Sequence, residues 1–246
     1  MADYSESSKA YWDKAISDDD RYTSVGVRSL PESINRKRKE KLSELVRKIG
    51  IEHLGGLKNA SVLDAGCGTG IYAELYTDLG AFVTGVDISD DAISLLTESD
   101  IQGEFHQASL DDLPFGDDEF DLTHSFSVLY HIVDDIEWME SVAELVRVTR
   151  PGGLMILRIA WQEHTEHAAD HVKRRSKNKY LSVLARTHEC RLEAVYPFVD
   201  IPYYERMLKT LHQFGLTRAQ DALANWIIQT DRFKINPTQR IVVFRV

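Results

Sequence analysis

The sequence has only two cysteines, Cys67 and Cys190, in 246 residues. So few exclude a disulfide framework, and both are expected to be free thiols. No continuous apolar run is long enough to span a bilayer. Met1-Ala2-Asp3-Tyr4 opens a polar segment without a signal-peptide core, so a soluble, cytoplasmic protein is expected. Positive charge is in the minority: 29 Lys and Arg stand against 39 Asp and Glu, for a net charge of −10 at pH 7. Binding a nucleic-acid backbone needs a basic surface, so small-molecule or protein substrates move ahead of DNA and RNA. No internal repeat or low-complexity segment is visible. The length suits one α/β domain with extra segments and is too short for two large domains.

What is present centres on Ser61-Val62-Leu63-Asp64-Ala65-Gly66-Cys67-Gly68-Thr69-Gly70, a short apolar run that breaks into a glycine-rich turn before a helix-like stretch. The pattern reads as strand, loop, helix. Its glycines let the backbone approach a ligand, and amides at the start of the following helix suit a polar or anionic group. A dinucleotide loop, G-x-G-x-x-G, would need glycine at position 71, where this chain has Ile71. The spacing instead matches D-x-G-x-G-x-G, with Asp64 two residues before Gly66.

With Asp64, the three glycines and the later Asp87 taken together, the segment from about Ala60 to Arg158 resembles the class I S-adenosylmethionine-dependent methyltransferases. The resemblance implies an α/β fold: a Rossmann-like, doubly wound, seven-stranded sheet, mostly parallel, with an antiparallel last strand. It also implies S-adenosyl-L-methionine as cofactor, held by Asp64, Gly66, Cys67, Gly68 and Gly70. Ala81 to Val86 reads as a buried strand ending at Asp87. Ligands of doubly wound sheets bind outside the carboxyl ends of the strands, so Asp87 is expected to take the ribose hydroxyls, with Ile88 packing on the adenine. Where the family usually has an aspartate for the adenine amino group, this chain has Ser109; a serine accepts with less charge assistance, which shifts weight to the Leu110 amide. Phe120 to His131 resembles the fourth strand and its turn, placing Ser125, Phe126 and Ser127 beside the methionine moiety and Tyr130 or His131 near the methyl group. His131 has two readings, a positioning residue or a general base.

Outside that stretch the residues speak less directly. Tyr11, Trp12 and Tyr22, in an otherwise polar N-terminal segment, are either scattered aromatics of a frayed terminus or a lid over the cofactor and substrate. Ser33 to Ile49 carries Leu42, Leu45, Val46 and Ile49 at helical spacing, an amphipathic helix packed on the sheet. Its Arg36, Lys37, Arg38, Lys39 and Lys41 read as a solvated basic face. Past Ile159, His164, His167 and His171 would share one face if Trp161 to Lys173 were helical. The outer two would then stand about 10 Å apart along the axis, too far for one ion, so no metal is expected. The segment remains either a charged solvated helix or a substrate flap with His164 or His167 as the catalytic base. Leu192 to Asp200 reads as extended, Tyr203 to Phe214 as a helix, and Gln239 to Val246 as the reversed final strand.

The expected organisation is residues 1–50 as lid and first helix, and 51–246 as the methyltransferase domain with a cap inserted at about 161–200. The expected reaction is methyl transfer to an O or N atom of a small molecule. The rival is a protein of the same fold that binds the cofactor and does other chemistry, such as cyclisation, or serves as a binding partner.

Overall fold

In Leu154-Met155-Ile156-Leu157 every side chain is buried. Leu154 and Ile156 join one apolar core and Met155 and Leu157 another, as a strand covered on both faces requires. Ile241 to Phe244 alternate in the same way. These strands therefore lie in the middle of three layers, with helices above and below. The structure, a computed structural model, describes residues 9–13, 30–186, 190–200, 204–232 and 234–246.

After helical residues 9–13, the order is α1 (Glu32–Leu54), β1 (Ser61–Ala65), α2 (Ile71–Asp78), β2 (Phe82–Asp87), α3 (Asp90–Thr97), β3 (Glu104–Gln107) and β4 (Phe120–Phe126). Then come α4 (Asp135–Arg147), β5 (Thr149–Ala160), β6 (Glu166–Ala169), β7 (Val172–Arg174), α5 (Lys177–Leu184), β8 (Arg191–Asp200), α6 (Glu205–Gln213), α7 (Thr217–Gln229) and β9 (Lys234–Arg245). Seven strands form one sheet in the order β3-β2-β1-β4-β5-β9-β8. β1 to β5 run parallel, and β9 enters antiparallel between β5 and β8. This is the doubly wound, Rossmann-like sheet that the motif order implies, and the strand order reverses beside β1, where such sheets open a crevice.

One core packs α4 and α5 on the sheet through Trp138, Val142, Leu145 and Tyr180; the other packs α1 and α2 through Leu42, Val46, Ile49, Ala73 and Tyr76. A third, smaller cluster joins Ile34 of α1 to Leu208, Ala224 and Ile227 of α6 and α7. Two glycines of the loop after β1 have steric reasons to be glycine. Gly66 (φ +86°) and Gly70 (φ +75°) lie in the left-handed region, and a Cβ would stand 2.1 Å from Val128 Cγ2 at the first and 2.3 Å from Leu96 Cδ2 at the second.

Trp161 to Lys173 is not a helix. It holds a two-stranded antiparallel hairpin, β6–β7, with Ala169 opposite Val172 and a turn at Asp170-His171. All four residues of β6 are exposed, so no apolar stripe exists to bury a helix there. Tertiary bonds hold the hairpin instead. The Lys173 amide donates to the Tyr130 carbonyl (2.8 Å). Arg175, 1% exposed, donates to Asp135 Oδ1 (3.0 Å) and to the carbonyls of Ile132 (2.7 Å), Val133 (3.1 Å) and Asp134 (2.7 Å). Its guanidinium also lies 4.5 Å from the Trp138 ring centroid. The segment is thereby clamped to the β4–α4 turn.

Candidate functional site

The carboxyl ends of β1, β2, β4 and β5 face one edge of the sheet, and two adjoining cavities open there. The first is walled by Gly66 and Gly68 of the β1 loop, Asp87 and Ile88 at the tip of β2, and Ser109 and Leu110 after β3. The second lies toward α1 and β5 and contains Arg38, Lys39, Tyr72, Tyr130, Arg158 and Phe198. Gly66, Phe126, Ser127, His131 and Trp12 line both, so they mark the junction.

Asp87 is the polar end of the first cavity. The Gly68 amide donates to its Oδ2 (2.8 Å) and the Ser89 amide to its Oδ1 (3.0 Å), which fixes the carboxylate against the glycine loop. Burial raises its pKa, against the pull of those amides. Ser109 donates its hydroxyl proton to Asp111 Oδ1, so its oxygen keeps acceptor capacity. Ile88 and Leu110 supply apolar walls.

The junction is built by the turn after β4 and by residues 9–13. Ser127 has φ +67°, a left-handed conformation unusual for serine, and its Oγ accepts from Arg158 Nη1 (3.0 Å). His131 Nδ1 lies 3.0 Å from the His171 carbonyl oxygen. A carbonyl only accepts, so Nδ1 carries the hydrogen and the neutral ring has its lone pair on Nε2. Burial lowers the His131 pKa to about 4. Trp12 meets the His131 ring edge-on at 4.9 Å between centroids, Tyr11 lies 5.2 Å from the His171 ring, and the two histidines stack at 5.7 Å. Residues 9–13 are pinned in place: Lys9 Nζ lies 2.8 Å from both Asp13 and Asp90, and the Ser89 hydroxyl donates to Asp13 (2.7 Å).

The structure thus gathers Gly66, Cys67, Gly68, Asp87, Ile88, Ser109, Leu110, Phe126, Trp12, Tyr130 and His131 around the two cavities. Other expected site residues fall elsewhere. Asp64 is 1% exposed beneath the loop, with Oδ1 3.3 Å from His124 Nε2, and lines neither cavity. Burial, with the nearby Asp87 charge, raises its pKa to about 8, and burial lowers that of His124 to about 3. Gly70 closes the start of α2 against Leu96 and also lines neither cavity. Ser125 is buried under the sheet edge; the positive φ of Ser127 breaks the strand's alternation and brings Ser127 into the wall in its stead. Tyr11 is half exposed and lines neither cavity; it packs edge-on against Trp12 (5.1 Å) and against the His171 ring. His164 and His167 are exposed on the hairpin and line neither cavity. Tyr22 lies outside the described residues.

Several wall residues were not expected. Arg38 and Lys39, expected on a solvated basic face, and Asn35, not singled out in the sequence, line the second cavity. Their positions extend the Leu42–Val46–Ile49 stripe of α1 backwards by helical steps of three and four, which is the signal that locates them. Arg36, Lys37 and Lys41, off that stripe, pair outward with Glu32, Glu40 and Asp231.

A glycine loop after the first strand, an acid at the tip of the second and a cavity beside the strand-order reversal put the candidate site where doubly wound α/β sheets bind their ligands. A family model described as a methyltransferase domain matches residues 63–157. Among curated proteins, the chain is 34% identical over 102 residues to a malonyl-acyl-carrier-protein O-methyltransferase of Buchnera aphidicola, covering 40% of this chain and 38% of that one. It is 36% identical over 108 residues to a ubiquinone biosynthesis O-methyltransferase of Aromatoleum aromaticum, covering 42% and 45%. These matches span less than half the length of either relative. Among solved structures, magnesium protoporphyrin IX methyltransferase from Synechocystis, with bound S-adenosylmethionine, superposes with a TM-score of 0.66 at 15% identity, over 100% of this chain and 98% of that one. The cyclase SpnF superposes at 0.59 and 18% identity, over 84% and 80%. Residues 63–157 thus match a methyltransferase domain, and the chain as a whole shares the fold of solved S-adenosylmethionine-dependent methyltransferases. Among the described residues no helix is long and apolar enough to cross a membrane.

Proposed function

We propose that this protein transfers a methyl group from S-adenosylmethionine to an O or N atom of a small molecule. The observation that carries the reading is the shared wall of the two cavities: Gly66, Phe126, Ser127, His131 and Trp12 border both, so a donor in one and an acceptor in the other meet at a single lined junction. The first cavity fits the cofactor's adenosine part. The Gly68 and Ser89 amides engage one Asp87 oxygen each, and the carboxylate keeps lone pairs for the ribose hydroxyls. Ser109 Oγ, its proton committed to Asp111, accepts from an exocyclic amine, and Ile88 and Leu110 flank a flat base.

When bound, S-adenosylmethionine supplies a methyl group already activated by its sulfonium. The chain's task is alignment, an effect worth roughly 7–11 kcal/mol when the reacting atoms are held in line. Trp12 closes the junction and keeps water from it, while Ser127, tied to Arg158, sets the wall opposite the glycine loop. His131 is the base for an acceptor that must lose a proton. The His171 carbonyl selects its tautomer, and burial keeps the ring neutral at physiological pH. His164 and His167, out on the hairpin, take no part. The net charge of −10 supports a small-molecule acceptor over a nucleic acid.

The test is incubation of the purified protein with methyl-labelled S-adenosylmethionine and a metabolite extract. Label in a small-molecule product is the expected result. Saturable cofactor binding with no labelled product in any fraction would contradict methyl transfer and favour other chemistry on the same fold.

A further inference from the structure

The second cavity has a sign. Three cationic side chains line it, Arg38 and Lys39 from α1 and Arg158 from β5, and among the described residues no aspartate or glutamate does, although acids outnumber bases in the chain by 39 to 29. A concave site with cations of one sign and apolar walls concentrates the field inside it, independently of the overall charge. Arg158 is the most telling of the three. Nη1 donates to Ser127 Oγ (3.0 Å), and Nε and Nη2 donate to Gln239 Oε1 (2.9 and 2.5 Å), while the guanidinium carbon stands 4.1 Å from the Phe198 ring centroid. Each of those partners is neutral. Among the described residues Arg158 has no carboxylate within ion-pair range, whereas the outward-facing Arg36, Lys37 and Lys41 of α1 each have one. A half-buried guanidinium held rigidly by neutral acceptors and an aromatic ring is positioned to receive an anion from elsewhere.

We propose that the methyl acceptor is an anion, a small molecule bearing a carboxylate or a phosphate ester. Its charged group is held by Arg158, Arg38 and Lys39, and its apolar or flat body lies against Tyr72 and Phe198. The proposal rests on the methyl-transfer reading for the word acceptor, but the anion site itself does not need the reaction to be detected. Arg158 reaches the junction through Ser127, so the same contact that binds the charge also orients the molecule toward the donor cavity.

The test is calorimetric titration of the S-adenosylhomocysteine-saturated protein with three probes of one shape: benzoate, phenyl phosphate and neutral benzamide. At least one anion should bind ten times more tightly than benzamide or better, and the stronger of the two identifies carboxylate or phosphate as the preferred group. Arg158→Gln should weaken that anion at least tenfold. The double substitution Arg38→Gln with Lys39→Gln, away from the strands, should do the same and serves if Arg158→Gln does not fold. Equal affinity for benzamide and the anions, no saturable anion binding, or unchanged anion affinity in the folded variants would overturn the proposal. Because the readout is binding, its failure is separable from failure of methyl transfer, which the labelled-methyl assay reads on its own.

Discussion

Replacing Asp64 by asparagine should stabilise the protein at neutral and alkaline pH, although Asp64 belongs to the most recognisable motif in the chain. Its carboxyl is 1% exposed beneath the glycine loop, with His124 as its neighbour, and burial first, then the Asp87 charge, moves its pKa from 3.8 to about 8. The folded state therefore holds the Asp64 proton more tightly than the unfolded chain, and ionisation favours unfolding. This penalty is absent below pH 3.8, grows as pH rises, and is complete above about pH 8. At about 1.4 kcal/mol per pH unit it reaches about 6 kcal/mol. Asparagine has nearly the same shape, never ionises, and so carries no such penalty. Urea denaturation of wild type and Asp64→Asn, followed by circular dichroism at intervals between pH 4.5 and 8.5, should give curves that lie close together at the acid end. The variant should gain steadily, by several kcal/mol, toward pH 8. A difference that stays flat across this range, or that turns against the variant as pH rises, would refute the claim that Asp64 is buried as the neutral acid.

His131→Ala should lower the rate by about 10²–10⁴-fold at neutral pH if His131 is the base. Burial sets the His131 pKa at about 4, so the acid limb of the wild-type kcat/KM profile should fall near pH 4 and not near the ordinary 6.5, and a loss below tenfold would leave it a positioning residue. Arg175→Ala strips a 1%-exposed cation from Asp135 and three backbone carbonyls and should cost about 3–5 kcal/mol, read as a shift in the urea midpoint, with Arg175→Lys intermediate. Amide exchange at Tyr11 and Trp12 should slow when S-adenosylhomocysteine is added, since Trp12 lines the first cavity; equal protection with and without ligand would mean that residues 9–13 are not a lid.

The parts of the fold legible in the sequence are those where one physical requirement dominates. The glycine loop and Asp87 stand out because close backbone approach and a carboxylate at a strand tip leave few alternatives, and Leu154 to Leu157 of β5 and Ile241 to Phe244 of β9 announce themselves as apolar runs buried on both faces. The hairpin at 166–174 was not legible: its strands are short and solvated, so neither helical nor strand periodicity is imposed on them, and the order comes from Arg175 and Lys173 reaching back to the β4–α4 turn. Helical spacing could not place His164 and His167 in the site for the same reason. Ser127 lines the cavities and Ser125, expected beside it, does not; the difference depends on a single positive φ, which no alternation rule anticipates. Arg38 and Lys39 were legible but misread, since a charged residue on a core-facing stripe has to face a cavity or a partner, and the stripe ran past Leu42 toward them.

The account turns on one claim, that the cavity between the glycine loop and Asp87 holds the adenosine end of the cofactor. Isothermal titration with S-adenosylhomocysteine tests it most directly. Wild type should bind saturably at one site per chain, and Asp87→Ala, which removes the one carboxylate that lines that cavity among the described residues, should bind more weakly by about 1.5–3 kcal/mol, the range for hydrogen bonds to a charged group. No binding by the wild type, or an affinity unchanged in a folded Asp87→Ala variant, would contradict it.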